Sequence, residues 1–171
     1  IKNDILEFFS GRYQNQLIAQ GYAYDTVEAV LAAGLTDLVA AAEKIKALQA
    51  FRNDPEFEPV SVAFKRVDNI LKDFRNPKID ERLLTTAVEK DLYRAAGETK
   101  KHVTACMEKN DYDLALREMA KLRPPVDAFF DNVMVMDKNE QIRFTRLSLL
   151  SEISALFHKI ADFSKIVTAG Q

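Results

Sequence analysis

The side chains best suited to chemistry in this chain are cations whose positions call for a partner. Arg143 and Arg146 fall in the opening turns of a helix predicted over about 139 to 167, where Ile142, Leu149, Ile153, Leu156, Ile160, Phe163 and Val167 form one apolar stripe. A helix N-terminus carries partial positive charge, so cations there oppose the dipole unless an anion balances them. A phosphate or a nearby carboxylate would do so. A second basic set lies on the polar side of a helix predicted over about 59 to 75. Lys65, Asn69 and Lys72 share one face, Arg66 stands three residues before Asn69, and Arg75 extends the ridge by another turn. Basic side chains hold phosphates, and Asn reads base edges. The set therefore suits single-stranded RNA, whose splayed bases expose their pairing edges. An ordinary solvated helix face has the same composition, and both readings are open at this point.

Phe129 and Phe130 are ambiguous in the same way. Neighbours on a helix point about 100° apart, so one of the pair is expected in the core. The other packs on a neighbouring helix or offers a stacking platform to a base. Asp131 and Asn132 beside them can exchange hydrogen bonds with base edges. Arg12, on the line of Ile5 and Phe8, sits at the border of an apolar face and is expected to snorkel there. His102 and Cys106 are four apart on one helical face, a spacing open to two metal ligands, but only His158 remains to complete a zinc set. A surface histidine above a core cysteine is the simpler reading. Phosphate-loop, dinucleotide-binding, zinc-protease and nucleophile-elbow motifs are all missing, so no catalytic residue is assigned.

The elements that must position these groups are helices. Periodicity of the helical kind dominates, and no convincing strand is present. The first helix is expected over about 3 to 20, ending at Gly21; the second follows Asp25 as a cap and stops near Gly34. Thr36 or Asp37 opens an alanine-rich third reaching about 51, and Asn76-Pro77 closes the fourth. Asp80 is expected to cap a fifth over about 81 to 109, in which Gly97 implies a close helix approach or a kink. Asp111 starts a sixth, interrupted at Pro124-Pro125. Pro125 suits the first turn of a new helical pattern, Val126, Phe129, Phe130, Val133 and Met134, which runs up to the seventh. Short connections between long amphipathic helices imply antiparallel neighbours, giving an all-α bundle of about seven helices.

Composition sets further bounds. At 171 residues, with 47% hydrophobic and 29% charged side chains, the chain fits a single domain able to bury a core. No apolar run is long enough for a transmembrane helix, and the start IKNDILEFF has no signal-peptide pattern. One cysteine fits a cytoplasmic location. An initial Ile in place of Met suggests a piece of a longer protein. The net charge of −2 argues against a nonspecific nucleic-acid binder, yet residues 61–78 hold 5 basic and 2 acidic side chains. A polyanion site is therefore expected in the later helices.

The segments VDAFFDNVMVM, IRFTRLSLL, LFHKIADFSKI and FKRVDNIL, with FFSGRYQNQLIAQGYAYDTVEAVLA near the start, resemble the C-terminal region of the β subunit of bacterial, α2β2 glycyl-tRNA synthetase. The resemblance covers most of the chain. It implies a single all-helical anticodon-binding domain over 1–171, related to the one that ends arginyl-tRNA synthetase and is named for an Asp-Ala-Leu-Arg tetrad. Glu140-Gln141-Ile142-Arg143 stands at the matching place and keeps the acid and the arginine; Thr145 stands where Asn is common in the glycyl family. It further implies a glycine–tRNA ligase whose ATP-dependent chemistry lies in the α subunit. This chain would bind tRNA-Gly without catalysis, cofactor or membrane contact. Arg66, Asn69, Arg143 and Arg146 are then the leading RNA contacts, with Lys65, Lys72, Arg75 and Arg12 for phosphates. The alternative is a helical module for protein interaction or subunit assembly, without RNA contact.

Overall fold

The computed structural model describes residues 2–169, with side chains from residue 8 onward, so Ile5 lies outside the described side chains. Among them are eight α-helices, two short 3-10 turns and no strand. The helices are α1 (Lys2–Ala19), α2 (Tyr24–Ala32), α3 (Leu38–Phe51), α4 (Phe57–Ile70), α5 (Ala87–Glu108), α6 (Tyr112–Ala120), α7 (Arg123–Asn132) and α8 (Glu140–His158). The 3-10 turns are Glu81–Leu83 and Phe163–Lys165. The all-helical expectation holds, with the two proline-flanking segments resolved into separate short helices, α6 and α7.

Local chemistry explains most boundaries. Gly21 and Gly34 take φ values of 98° and 124°, the left-handed region that lets a helix stop without a Cβ clash. Asp37 caps α3 by accepting from the Val39 and Ala40 N–H groups, and Asp111 caps α6 through Leu114. Asn139 does the same for α8 through Gln141 and Ile142. Pro124 and Pro125 occupy the first turn of α7, where their missing N–H groups leave nothing unpaired.

Several boundaries differ from the expectation, each for a visible reason. Asp80 caps only the 3-10 turn; α5 begins at Ala87, where Thr86 and Glu89 form a capping box. Asp25 lies inside the first turn of α2 and is buried, its carboxylate taken by Arg52 at 2.9 Å. α4 stops at Ile70, so Lys72 and Arg75 lie in the following turn and do not continue a helical ridge. α8 ends at His158 because Asp162 starts a new turn: its backbone N–H reaches Ala29 O at 2.8 Å, and its side chain accepts from Ser164. Val167, expected in the stripe, is exposed as a result.

The core runs between α4, α5, α7 and α8, with α6 bridging α5 to α3, and α2 joining α3 to the C-terminal turn. Phe64, Phe157 and Phe163 form its aromatic centre, with Phe157 and Phe163 edge-on at 5.3 Å. Asp25 ties three parts of the chain together. It holds Arg52 of the α3 C-terminus and accepts from the Val167 N–H at 2.9 Å. Gly97 is not at a close approach: it is exposed, with nothing within 4 Å of where a Cβ would be. None of the described helices is long and apolar enough to cross a membrane.

Candidate nucleic-acid interface

The two cations at the head of α8 have different fates. Arg146 is 7% exposed, and its Nε donates to Glu89 at 2.6 Å. Its NH1 donates to the Met134 carbonyl at 2.8 Å and to the Asp137 carboxylate at 3.0 Å. Glu89, fully buried, accepts through its other oxygen from the Thr85 and Thr86 N–H groups and the Thr86 hydroxyl. The balancing anions are therefore Glu89 and Asp137. Arg146 is taken up by the fold and has little surface left for a ligand.

This network determines the connection from α7 to α8. After Asn132 the backbone is extended at Val133 (φ −124°, ψ 127°), ending the helix that the sequence pattern carried on to Met134. Val133 and Val135 face inward while Met134 and Met136 are 72% and 58% exposed, an alternation with the period of a strand. Arg143 stays half-buried beside the same segment. Its NH1 donates to the Asp137 carbonyl at 3.1 Å, and NH2 lies 3.8 Å from Glu140.

Across the domain, α4 packs on α7 and brings together two groups far apart in sequence. The exposed Arg66 guanidinium lies over the ring of Phe130, 4.1 Å from its centroid. Phe129 is fully buried; Phe130 is half-buried and meets it edge-on at 6.0 Å. One phenylalanine thus serves the core and the other supports an arginine. Asn69 is exposed one turn beyond Arg66, and Val62, 53% exposed, lies one turn before it.

The remaining candidates are dispersed. Lys65 is half-buried and its ammonium turns to the Thr168 hydroxyl at 3.4 Å, away from the Arg66 ridge. Arg75 donates to the carbonyls of Lys72 and Phe74, closing the end of the α4 segment. Lys72 is exposed beside it. Arg12 lies over Phe8 at 5.2 Å, but Phe8 is 60% exposed, so there is no core border for Arg12 to snorkel along. Of these arginines, Arg66 and Arg12 are the two with no hydrogen-bond acceptor among the described residues.

The histidines serve as clasps. His102 is exposed and meets Glu118 of α6 at 3.1 Å, while Cys106 faces the core; burial and the carboxylates Asp111 and Glu118 raise its thiol pKa. His158 lies 3.5 Å from Asp68, whose other oxygen accepts from Ser154 at 2.6 Å. Asp162 completes a group whose ligand-type atoms lie within 4.8 Å of one another. Asp68 is thereby tied to α8, packed against α4.

Residues 60–169 match the DALR anticodon binding domain family. This stretch holds Arg66, Phe130, Glu89, Asp137 and Arg146. The chain belongs to that family. This domain is 51% identical over 98% of its length to the glycine–tRNA ligase beta subunit of Syntrophus aciditrophicus. It is 47% identical over 97% to that of Geobacter metallireducens, and 45% over 97% to that of Citrifermentans bemidjiense. It spans 24% of the length of each of these relatives. An anticodon-binding domain is a recognition module, and the exposed features of this one include a stacked arginine and an adjacent amide.

Proposed function

We propose that the chain is the anticodon-binding domain of a bacterial glycine–tRNA ligase β subunit, forming one unit over residues 1–171. In this reading it holds tRNA-Gly in the cytoplasm while an α subunit carries out ATP-dependent attachment of glycine. The observation that carries the glycine assignment is 51% identity to a glycine–tRNA ligase β subunit over nearly the whole chain, including the helices that precede the family match. Support for a single unit comes from Asp25, which bonds α3 and the C-terminal segment at once.

The RNA face is read as the α4–α7 ridge, with Arg66 and Asn69 toward bases; Lys72 and Arg75 in the turn after α4, and Arg143 at the head of α8, are read toward phosphates. Lys65 and Arg12 lie off this ridge, and Arg146 acts by shaping the α7–α8 connection. The test is binding of tRNA-Gly and of an anticodon-substituted tRNA across a salt series, using the assembled ligase. Phosphate contacts to single-stranded RNA give a log–log slope near −0.7 per contact. Arg66→Ala is expected to weaken tRNA-Gly at least fivefold, and equal affinity for both tRNAs would refute the reading.

A further inference from the structure

We infer that the Arg66–Phe130 stack is a base-reading site selective for a nucleobase edge with two adjacent acceptors, occupied in tRNA-Gly by an anticodon cytosine. This rests on the proposed function above. Three observations lead to it. The first is rigidity: a guanidinium 4.1 Å from a ring centroid is in stacking contact, which limits the rotamers of a long side chain before any ligand arrives. The second is vacancy of its donors. Arg52, Arg82, Arg94, Arg123, Arg143 and Arg146 all have carboxylate partners, whereas Arg66 has no acceptor among the described residues. The third is placement, since Arg66 and Phe130 lie within the residues that match the anticodon-binding family, whereas the stacks of Arg12 on Phe8 and Arg52 on Phe57 lie before them.

The chemistry then selects the base. Arginine presents parallel N–H groups, so its best partner is a pair of neighbouring acceptors. Cytosine has that pair at O2 and N3 on its pairing edge, and guanine has it at N7 and O6. Uracil places an N3–H donor between two carbonyls, and adenine places an amine beside N7; either opposes one of the arginine donors. Glycine codons begin GG, so the last two anticodon bases are cytosines. In an unpaired loop their pairing edges are free to be read. Val62 and Asn69 flank Arg66 along α4, leaving an apolar contact on one side and an amide on the other for the same nucleotide.

Arg66→Lys keeps the charge and the phosphate attraction but removes the fork, and an exposed position makes it neutral for folding. The experiment measures binding of anticodon stem-loop hairpins to the assembled ligase, with each anticodon cytosine replaced singly by uracil. Wild-type protein should prefer cytosine at one of the two positions by a factor of roughly 5 to 150, the range for a bidentate arginine–base pair. Arg66→Lys should bring that ratio toward one at the same position while leaving the ratio at the other position, the salt slope and the thermal unfolding midpoint unchanged. Phe130→Leu should lower the ratio at the same position, because the platform is lost while the arginine remains. If wild-type protein discriminates and Arg66→Lys keeps both ratios, the inference is overturned and the anticodon-binding reading stands. If wild-type protein discriminates at neither position, both are overturned.

Discussion

Arg146→Ala should be among the most destabilising single changes in this chain. The guanidinium is 9% exposed at the side chain and Glu89 is 0% exposed, so removing it strands a buried carboxylate. Breaking a buried pair by deleting one partner costs about 3–5 kcal/mol. The Thr85 and Thr86 donors still hold one Glu89 oxygen, which favours the lower end. At about 2–4 °C per kcal/mol for a chain of this size, the melting temperature should fall by roughly 6–20 °C. The companion variant is Glu89→Gln/Arg146→Met, which removes both charges together. Its amide still accepts from Thr86, and the methionine refills much of the space. The double variant should lie within about 2 kcal/mol of wild type, less destabilised than Arg146→Ala alone. Urea unfolding followed by circular dichroism measures all three. An Arg146→Ala cost below about 1 kcal/mol, with unchanged helicity, would refute the reasoning, because the pair would then be screened as a surface pair is.

Further outcomes follow from the same geometry. Gly97→Ala should raise stability by about 0.5–1 kcal/mol, read from the urea midpoint, because the site is an open helix surface with no close neighbour. Asp25→Asn should cost about 2 kcal/mol and release the C-terminal segment, seen as faster hydrogen exchange at the Val167 amide, because the charged acceptor shared by Thr26, Arg52 and Val167 is lost. For Asp25 and Glu89, burial pushes the carboxyl pKa up, but backbone donors and the arginines outweigh it and hold both below the usual range. Their contribution is therefore present above the ordinary carboxylate pKa and lost as pH falls through the lowered values, so melting temperature should drop on acidification and drop less in Asp25→Asn. His158 behaves oppositely: Asp68 raises its pKa above 6.5, against burial, with Asp162 adding to the rise. Its contribution is complete below 6.5 and lost as pH rises through the raised value, and His158→Gln should flatten the melting profile on that side.

Helix number and type were legible because apolar spacing and caps are local signals. Asp37 and Asp111 cap where a reader of sequence would place them, and Gly21 and Gly34 stop helices as glycine does. The start of α5 was missed, although Thr86 and Glu89 stand at capping-box spacing. Asp80 drew the boundary early because it too is a good cap, for a shorter turn. The end of α8 was not readable from periodicity, since Ile160, Phe163 and Ile166 are all buried on either side of a bend. What creates the bend is a bond from Asp162 to Ala29, a partner more than a hundred residues away. The site divides in the same way. That an anion must balance the arginines of α8 follows from the helix dipole, but that Glu89, 57 residues earlier, joins the nearby Asp137 in doing so follows only from packing.

Arg146 and Arg66 show two ways in which this fold constrains an arginine. Both guanidiniums have lost freedom, one to two carboxylates and a carbonyl, the other to an aromatic face. A carboxylate consumes the hydrogen-bonding capacity of arginine, whereas a ring holds the same group and leaves its edge N–H donors unspent. The two are also linked through the chain. Arg146 grips the carbonyl of Met134, two residues past the end of α7, and Phe130 lies two residues before that end. The buried network therefore sets where α7 terminates, and so where the Phe130 ring stands under Arg66. Substitutions at Arg146 should lower stability and RNA affinity together, while substitutions at Arg66 should lower affinity alone. On the proposed RNA face, Arg146 would therefore act through the position of Phe130 and not by contact.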